Sequence, residues 1–481
     1  MDLLRRKPVE ADLARDTGLK KVLGPIDLTM MGIGAIIGTG IFVLTGIAAA
    51  DYAGPALVLS FLLAGLVCTA AAMSYAELAS SIGGSGSAYA YGYAGLGEFP
   101  AWIIGWMLVL EYTIAISAVS VGWSGYVSNA LAAVGLDLPV ELQRSPLDPR
   151  NPGIMNLPAF LIIAALGVLL AGGARLSAHF NAVMVVIKVA AILLFIGVAV
   201  FHVEPSNWVP FLPERGLNPS GQPAYGLTGV VAGAAIVFFA YIGFDAVSTA
   251  AEETRNPQRD MPIGILASLG ICTLLYIVVS FLLTGVIPYQ ELNTPSPVSY
   301  ALLQVGVEWA AGLIALGAIA GLTTVMLVLY YALTRILFAM SRDGLLPPYL
   351  SHISGKSRSP RRAVVMMGAI MVLLAGFIPL GDLAELTNIG TLGAFTVVCL
   401  GVIVLRRTHP DLPRAFRTPA SPLIPVLGVI GCLLLAFNLR ATTWVAFLIW
   451  NAVGLAIYFG YSYRHSSLNR AGGVGSPASS S

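Results

Sequence analysis

The sequence predicts an all-α integral membrane protein with 12 transmembrane helices, the first and sixth broken at mid-membrane depth. Composition comes first. The 481 residues are 57% hydrophobic and only 10% charged, with mean hydropathy +0.83, whereas soluble domains carry about 25% charged residues. Apolar stretches of about 17 residues or more, long enough to span a bilayer, then recur along the chain. They centre near Ile37, Leu66, Tyr112, Ala165, Ala191, Phe239, Ile277, Val325, Leu373, Phe395, Gly431 and Val453. Finally, the first and sixth of these contain glycines that an uninterrupted helix would avoid.

The first span runs from about Asp27 to Ala50 and contains Gly34-Ala35-Ile36-Ile37-Gly38-Thr39-Gly40-Ile41-Phe42. Glycine lets the backbone leave helical geometry cheaply. In hydrocarbon such unwinding survives only where it lines a cavity, because each free N–H or C=O costs several kcal/mol. A break here therefore points to a site for a polar ligand. The sixth span reads Phe239-Ala240-Tyr241-Ile242-Gly243-Phe244-Asp245. Gly243 alone would suit close helix packing, but Asp245 at this depth also asks for a polar cavity. Ala35-Ile36-Ile37-Gly38 and Ala240-Tyr241-Ile242-Gly243 share an Ala-x-Ile-Gly pattern. Two inverted repeats of five spans would bring these breaks face to face.

Charge sets the orientation. Of the 26 Lys and Arg residues, 21 fall on the side of the N-terminus, four (Arg144, Arg150, Arg215, Arg440) on the other, and Lys188 lies within a span. Positive residues stay inside, so both termini are expected in the cytoplasm of a multi-pass inner-membrane protein. The net charge of +2 thus reflects orientation and gives no reason to expect nucleic acid as a partner. Residues 1–26 lack a short apolar core with a cleavage site and read as a cytoplasmic segment, not a secretory signal. Residues 27–406 form spans one to ten, 407–465 spans eleven and twelve, and 466–481 a disordered cytoplasmic tail. The four cysteines lie within spans at spacings that fit neither a zinc site nor a redox motif, and no metal or cofactor is expected.

Gly32-Ile-Gly-Ala-Ile-Ile-Gly-Thr-Gly-Ile-Phe42 resembles the first-helix signature of the amino acid–polyamine–organocation transporters. The stretch from Phe239 to Glu253, continued by Asn256-Pro-Gln-Arg-Asp-Met-Pro262, is similar to the cationic amino acid transporter family within that superfamily, and Ser341-Arg-Asp-Gly-Leu-Leu-Pro347 is a third hallmark. The resemblance covers about residues 20–465. It implies a leucine-transporter-like 5+5 core with two peripheral helices and a secondary active transporter moving L-amino acids by alternating access. It further implies that N–H groups around Gly38, Thr39 and Gly40 hold the substrate carboxylate. Carbonyls of Ile36, Phe239, Ala240 and Ile242 would meet its ammonium.

Lys188 lies about 12 Å into span five by helical rise. A lysine stem can snorkel to the interface. Alternatively, loss of water favours the neutral form of a buried ammonium, letting such a residue load and unload a proton. The resemblance implies the second role, as the proton-coupling residue. Glu111 in span three is a structural carboxylate pairing with a neighbouring helix, or a contact to the far end of the substrate side chain, or a relay linked electrostatically to Lys188. These roles leave cationic and small neutral amino acids both open. Glu77 reads as structural, and Asp245, Glu252 and Glu253 as gating groups with Arg255 or solvated ones. The glycine-rich inner loop from Gly83 to Tyr91, leading to Trp102 and Trp106, reads as an interfacial helix and gate. Trp123, Trp208, Trp309 and Trp444 read as an aromatic belt.

No His-Glu-x-x-His or Gly-x-Ser-x-Gly occurs, which argues against an intramembrane enzyme. The partners expected are an amino acid, protons and membrane lipid; a small membrane-protein partner stays open. An exchanger, a uniporter or a sensor with little net flux would use the same pocket.

Overall fold

The computed structural model describes residue 5 and residues 21–82, 88–148, 151–173, 178–218, 223–353 and 360–472. Basic residues Arg6, Lys7, Arg15, Lys20, Arg175, Lys356 and Arg358, the Gly83–Gly86 loop and the tail from 473 lie outside the described residues. So do Arg150 and the side chains of His179, Glu252 and Arg470.

The fold is helical. Its principal helices are α1 (Pro25–Ile36), α2 (Leu57–Ile82), α3 (Glu98–Ala133), α4 (Leu157–Ala171), α5 (Ala178–Ala199) and α6 (Gly226–Val237). They continue as α7 (Pro257–Val286), α8 (Glu308–Arg342), α9 (Arg361–Phe377), α10 (Leu380–Thr408), α11 (Leu423–Phe437) and α12 (Ala441–Ile457). Eight helical segments among the described residues are long and apolar enough to cross a membrane. The only strands among these residues are Gly216–Leu217 and Pro223–Ala224, paired antiparallel. Helix starts follow local chemistry. Pro25 opens α1 with Asp27 Oδ2 accepting from Gly24 N at 2.9 Å, and Asn156 caps α4 by accepting from Ala159 N.

Two groups of helices emerge from the packing. α7 lies against α1 and α2, and α2 against α6; α3 lies against α4, α8 and α9, and α9 against α4. α5 touches both α1 and α8, and α10 touches both α2 and α3. Burial grades outward from α3. In the most apolar window of α3, 94% of residues are buried, against 17% in Ala441–Asn469, so α3 is the central post and the last helix is peripheral. Trp102 and Trp106 are buried within α3 and seat α12 on it. Trp106 stacks on Trp450 at 4.3 Å between centroids, and Trp102 Nε1 donates to Gly454 O. Trp123 donates across to Thr323 Oγ1 of α8.

Candidate functional site

α1 stops where its glycines begin. Ile37 is extended (φ −72°, ψ 101°), and helical geometry resumes at Gly40 with Thr39 as its cap, continuing to Ala53. This leaves carbonyls at the end of α1 and amide N–H groups at the start of the next segment outside any helical ladder. The carbonyls find side chains from two other helices. Lys188 Nζ donates to Gly34 O at 2.7 Å and Ile37 O at 3.1 Å, and Tyr276 Oη donates to Ile36 O at 3.0 Å. Lys188 is fully buried, so snorkelling is excluded in this conformation. It has no carboxylate within ion-pair distance among the described residues. A Cβ added at Gly321 of α8 would sit 3.2 Å from Lys188 Cβ, so the lysine is held between α1 and α8.

The sixth-span break has a different construction. α6 tightens over Phe238–Tyr241, Ile242 is extended (φ −62°, ψ 137°), and Gly243 takes φ 118°, which only glycine adopts without strain. A tight helix then runs from Asp245 to Glu253. Asp245 closes the turn itself: Gly243 N donates to its Oδ1 at 3.2 Å, while Tyr112 Oη donates to Oδ2 at 2.5 Å. Asn388 of α10 donates to the carbonyls of Ala235 at 2.7 Å and Ile236 at 3.2 Å.

The two breaks cross in contact. A Cβ at Gly40 would overlap Ala240, and one at Gly243 would lie 2.8 Å from the backbone carbonyl of Ala35. Around this crossing lies a narrow cleft of about 10 Å³, tightly drawn in this conformation. Ile36, Gly38, Thr39, Gly40, Phe239 and Ile242 line it on one side, Ala115, Val119, Val325 and Leu329 on the other. The structure thus brings six of the seven residues expected for substrate around one space; Ala240 packs on Gly40 beside it. Thr39 is fully buried and its Oγ1 is without a hydrogen-bond partner. Ile36 O already accepts from Tyr276, leaving one lone pair for a ligand.

Glu111 does not line this cavity. Both its carboxylate oxygens are buried without a hydrogen-bond partner among the described residues. The sequence also left Tyr112, Tyr276 and Asn388 unmarked as supports for the breaks. Their one signal is a hydrogen-bonding group in the middle of an apolar span, which requires a partner.

A second cavity, about 340 Å³, opens on the side where Val22 and Leu23 enter α1. Met30, Met31, Asn181, Ala246 and Val328 form its upper wall, and Glu253, Tyr331 and Arg335 its mouth. The expected pairing of Glu253 with Arg255 is replaced. Arg335 Nη2 lies 3.4 Å from Glu253 Oε1 and hydrogen-bonds Tyr331 Oη, because α8 carries Arg335 to this mouth while Arg255 is exposed. Glu77 holds Arg406 at 2.7 Å, Arg414 at 3.4 Å and the Thr418 amide at 2.8 Å, joining α2 to the α10–α11 connection.

Residues 23–473 match the family model described as amino acid permease. The chain is 50% identical over 473 residues to the branched-chain amino acid permease BcaP of Bacillus subtilis (strain 168), covering 97% of this chain and 99% of that one. It is 49% identical over 470 residues to the methylthioribose transporter of the same organism, with the same coverage. Against the vacuolar cationic amino acid transporter 4 of Arabidopsis thaliana it is 40% identical over 414 residues, 85% of this chain and 68% of that one. The chain belongs to the amino acid permease family of the amino acid–polyamine–organocation superfamily, a family of multi-pass membrane transport proteins and not of enzymes.

Proposed function

We propose that this protein is a secondary active transporter that carries L-amino acids with neutral, apolar side chains across the cytoplasmic membrane by alternating access, driven by protons. The observation that carries this reading is the cavity at the crossing of the two breaks. One end offers N–H groups at the start of a helical segment, suited to a carboxylate. Backbone carbonyls of Phe239, Ala240 and Ile242 suit the ammonium. The facing side chains, Ala115, Val119, Val325 and Leu329, are all apolar, and no ionised side chain is on the walls to meet a cationic substrate. The names of the Bacillus relative and of a second branched-chain permease, from Lactococcus lactis subsp. cremoris (strain MG1363), 36% identical over 467 residues, support the same class.

Lys188 supplies the proton site in this scheme. Its ammonium clamps the end of α1 to α5 and α8; its neutral form cannot hold both carbonyls as strongly, so protonation and the position of α1 are linked. Glu111, buried near Asp245 and Tyr112, serves as a relay on the other face of α3. The large cavity beneath the breaks supports an inward-facing state, with Arg335 and Glu253 at its cytoplasmic mouth. We read the chain as 12 spans with both termini in the cytoplasm, residues 27–406 forming two inverted repeats of five. The packing groups support this, because each takes matching members of both repeats: first, second, sixth and seventh in one, third, fourth, eighth and ninth in the other. Transport then rocks the first group against the second, with 407–465 at the periphery.

The test is uptake into proteoliposomes of labelled leucine, valine, alanine, lysine and methylthioribose, with and without an inward proton gradient. Leucine or valine should accumulate and be released by a protonophore. Uptake of lysine alone would refute the substrate class. Uptake needing internal amino acid but indifferent to the gradient would make the protein an exchanger; downhill flux alone, a uniporter; binding without flux, a sensor. The methylthioribose arm tests a second reading, favoured by the 49% identity of the relative so named and by walls that would equally take an uncharged methylthio group.

A further inference from the structure

Away from the crossing, a groove of about 930 Å³ runs along the outside of the bundle between α4 and α9, with α8 as its floor. Small residues on the two helices open it, and its floor is the fully buried Tyr330, whose hydroxyl donates to Val364 O at 2.6 Å. A Cβ at Gly368 would sit 2.5 Å from that hydroxyl, so the glycine is what admits the ring. The lining is apolar except at one end, where Arg361 opens α9. Arg361 is exposed and has no carboxylate or other hydrogen-bond partner among the described residues. Its neighbour Arg362 is engaged differently, stacked 4.7 Å over the Tyr349 ring.

From Phe160 to Gly172 on α4 the groove extends about 18 Å at helical rise. One leaflet of a bilayer core of about 30 Å is about 15 Å deep. The groove is somewhat longer than that and follows α4 and α9 over most of their length. Its apolar walls fit an acyl chain, and Arg361, the one cation on its lining among the described residues, lies where a phosphate would be, at the headgroup level of the basic face.

We propose that the α4–α9 groove is a binding site for an anionic glycerophospholipid, one acyl chain lying over Tyr330 and the phosphate on Arg361. Tyr330 shares α8 with Val325 and Leu329 of the central cavity. The lipid thus backs the helix that walls the substrate site without touching substrate.

The test uses delipidated full-length protein in detergent, titrated with dioleoyl phosphatidylglycerol, dioleoyl phosphatidylcholine or inorganic phosphate, and read by native mass spectrometry and melting temperature. Phosphatidylglycerol should be retained at one molecule per chain in preference to phosphatidylcholine, with phosphate giving no melting shift. Arg361→Gln should weaken that retention about tenfold, the loss of one charge-assisted contact, and Ala369→Trp, which fills the groove, should weaken it at least as much. Arg362→Gln should leave it unchanged. Equal retention of both lipids, retention by Arg361→Gln equal to the wild type, a melting shift with phosphate alone, or a small protein found crosslinked to Val365→Cys would each overturn the proposal. None of these readings depends on transport, so the site stands or falls apart from the amino acid reading.

Discussion

The first and sixth-span breaks solve the same problem by opposite means. At the first, the stranded carbonyls are met by long side chains from elsewhere, Lys188 of α5 and Tyr276 of α7. At the second, the chain closes on itself through Gly243 and Asp245, with Tyr112 and Asn388 as outside supports. Both breaks thus rest on an ionisable side chain, an ammonium brought from another helix at the first and a carboxylate of the turn itself at the second. The proposed proton site is the ammonium, whose two carbonyl partners lie on a different helix, so its charge bears on how α1 is held against α5.

Four substitutions sharpen that contrast, beginning with the largest effect. Lys188→Met strips two buried carbonyls of their donor, at about 1–3 kcal/mol each, and should abolish the dependence of uptake on the proton gradient. Wild-type uptake should rise as the outside is made more acidic than the lumen; the variant should be flat across the same series. Full retention of the gradient response would separate Lys188 from coupling. Next is Gly40→Val, whose side chain would overlap the Ala240 backbone. Overpacking of this kind costs about 1–3 kcal/mol, and uptake should be lost along with a lowered melting temperature. Gly38 supplies the control, since its Cβ would meet Val325 at an ordinary 3.5 Å. Gly38→Ala should melt like the wild type yet bind substrate more weakly, because the methyl enters the cavity. The smallest effect on coupling belongs to Gly243→Ala. Its φ of 118° should cost about 1–3 kcal/mol in stability, visible in thermal melting, while the pH dependence of whatever uptake remains keeps its wild-type form.

Much of the site was legible in the chain. A run of glycines in an apolar span is a local signal, and the break at Ile37–Thr39 falls inside the run that marked it. Lys188 stood out for the same reason, a charge at depth with nothing local to satisfy it. The supports were harder to see. Tyr276 and Asn388 look like ordinary span residues until the carbonyls 240 and 153 positions away are brought beside them. Glu111 shows the limit best. α3 is apolar on every side and buried on nearly every side, so helical periodicity carries no information about which face meets the cavity. The same loss of facing hid that Trp102 and Trp106 would seat α12.

By itself the sequence determined that the chain lives in a membrane, where its helices fail, and which charge is stranded inside. Each of these is set by hydrophobicity and backbone freedom over a few neighbouring residues. Tertiary packing alone decided that Lys188 meets Gly34 and Ile37, that Asp245 turns to Tyr112, that Arg335 and not Arg255 takes Glu253, and that Glu111 stays off the cavity wall. Those partners come from helices far apart in sequence, and between helices greasy all round only shape complementarity chooses the rotation that makes them meet.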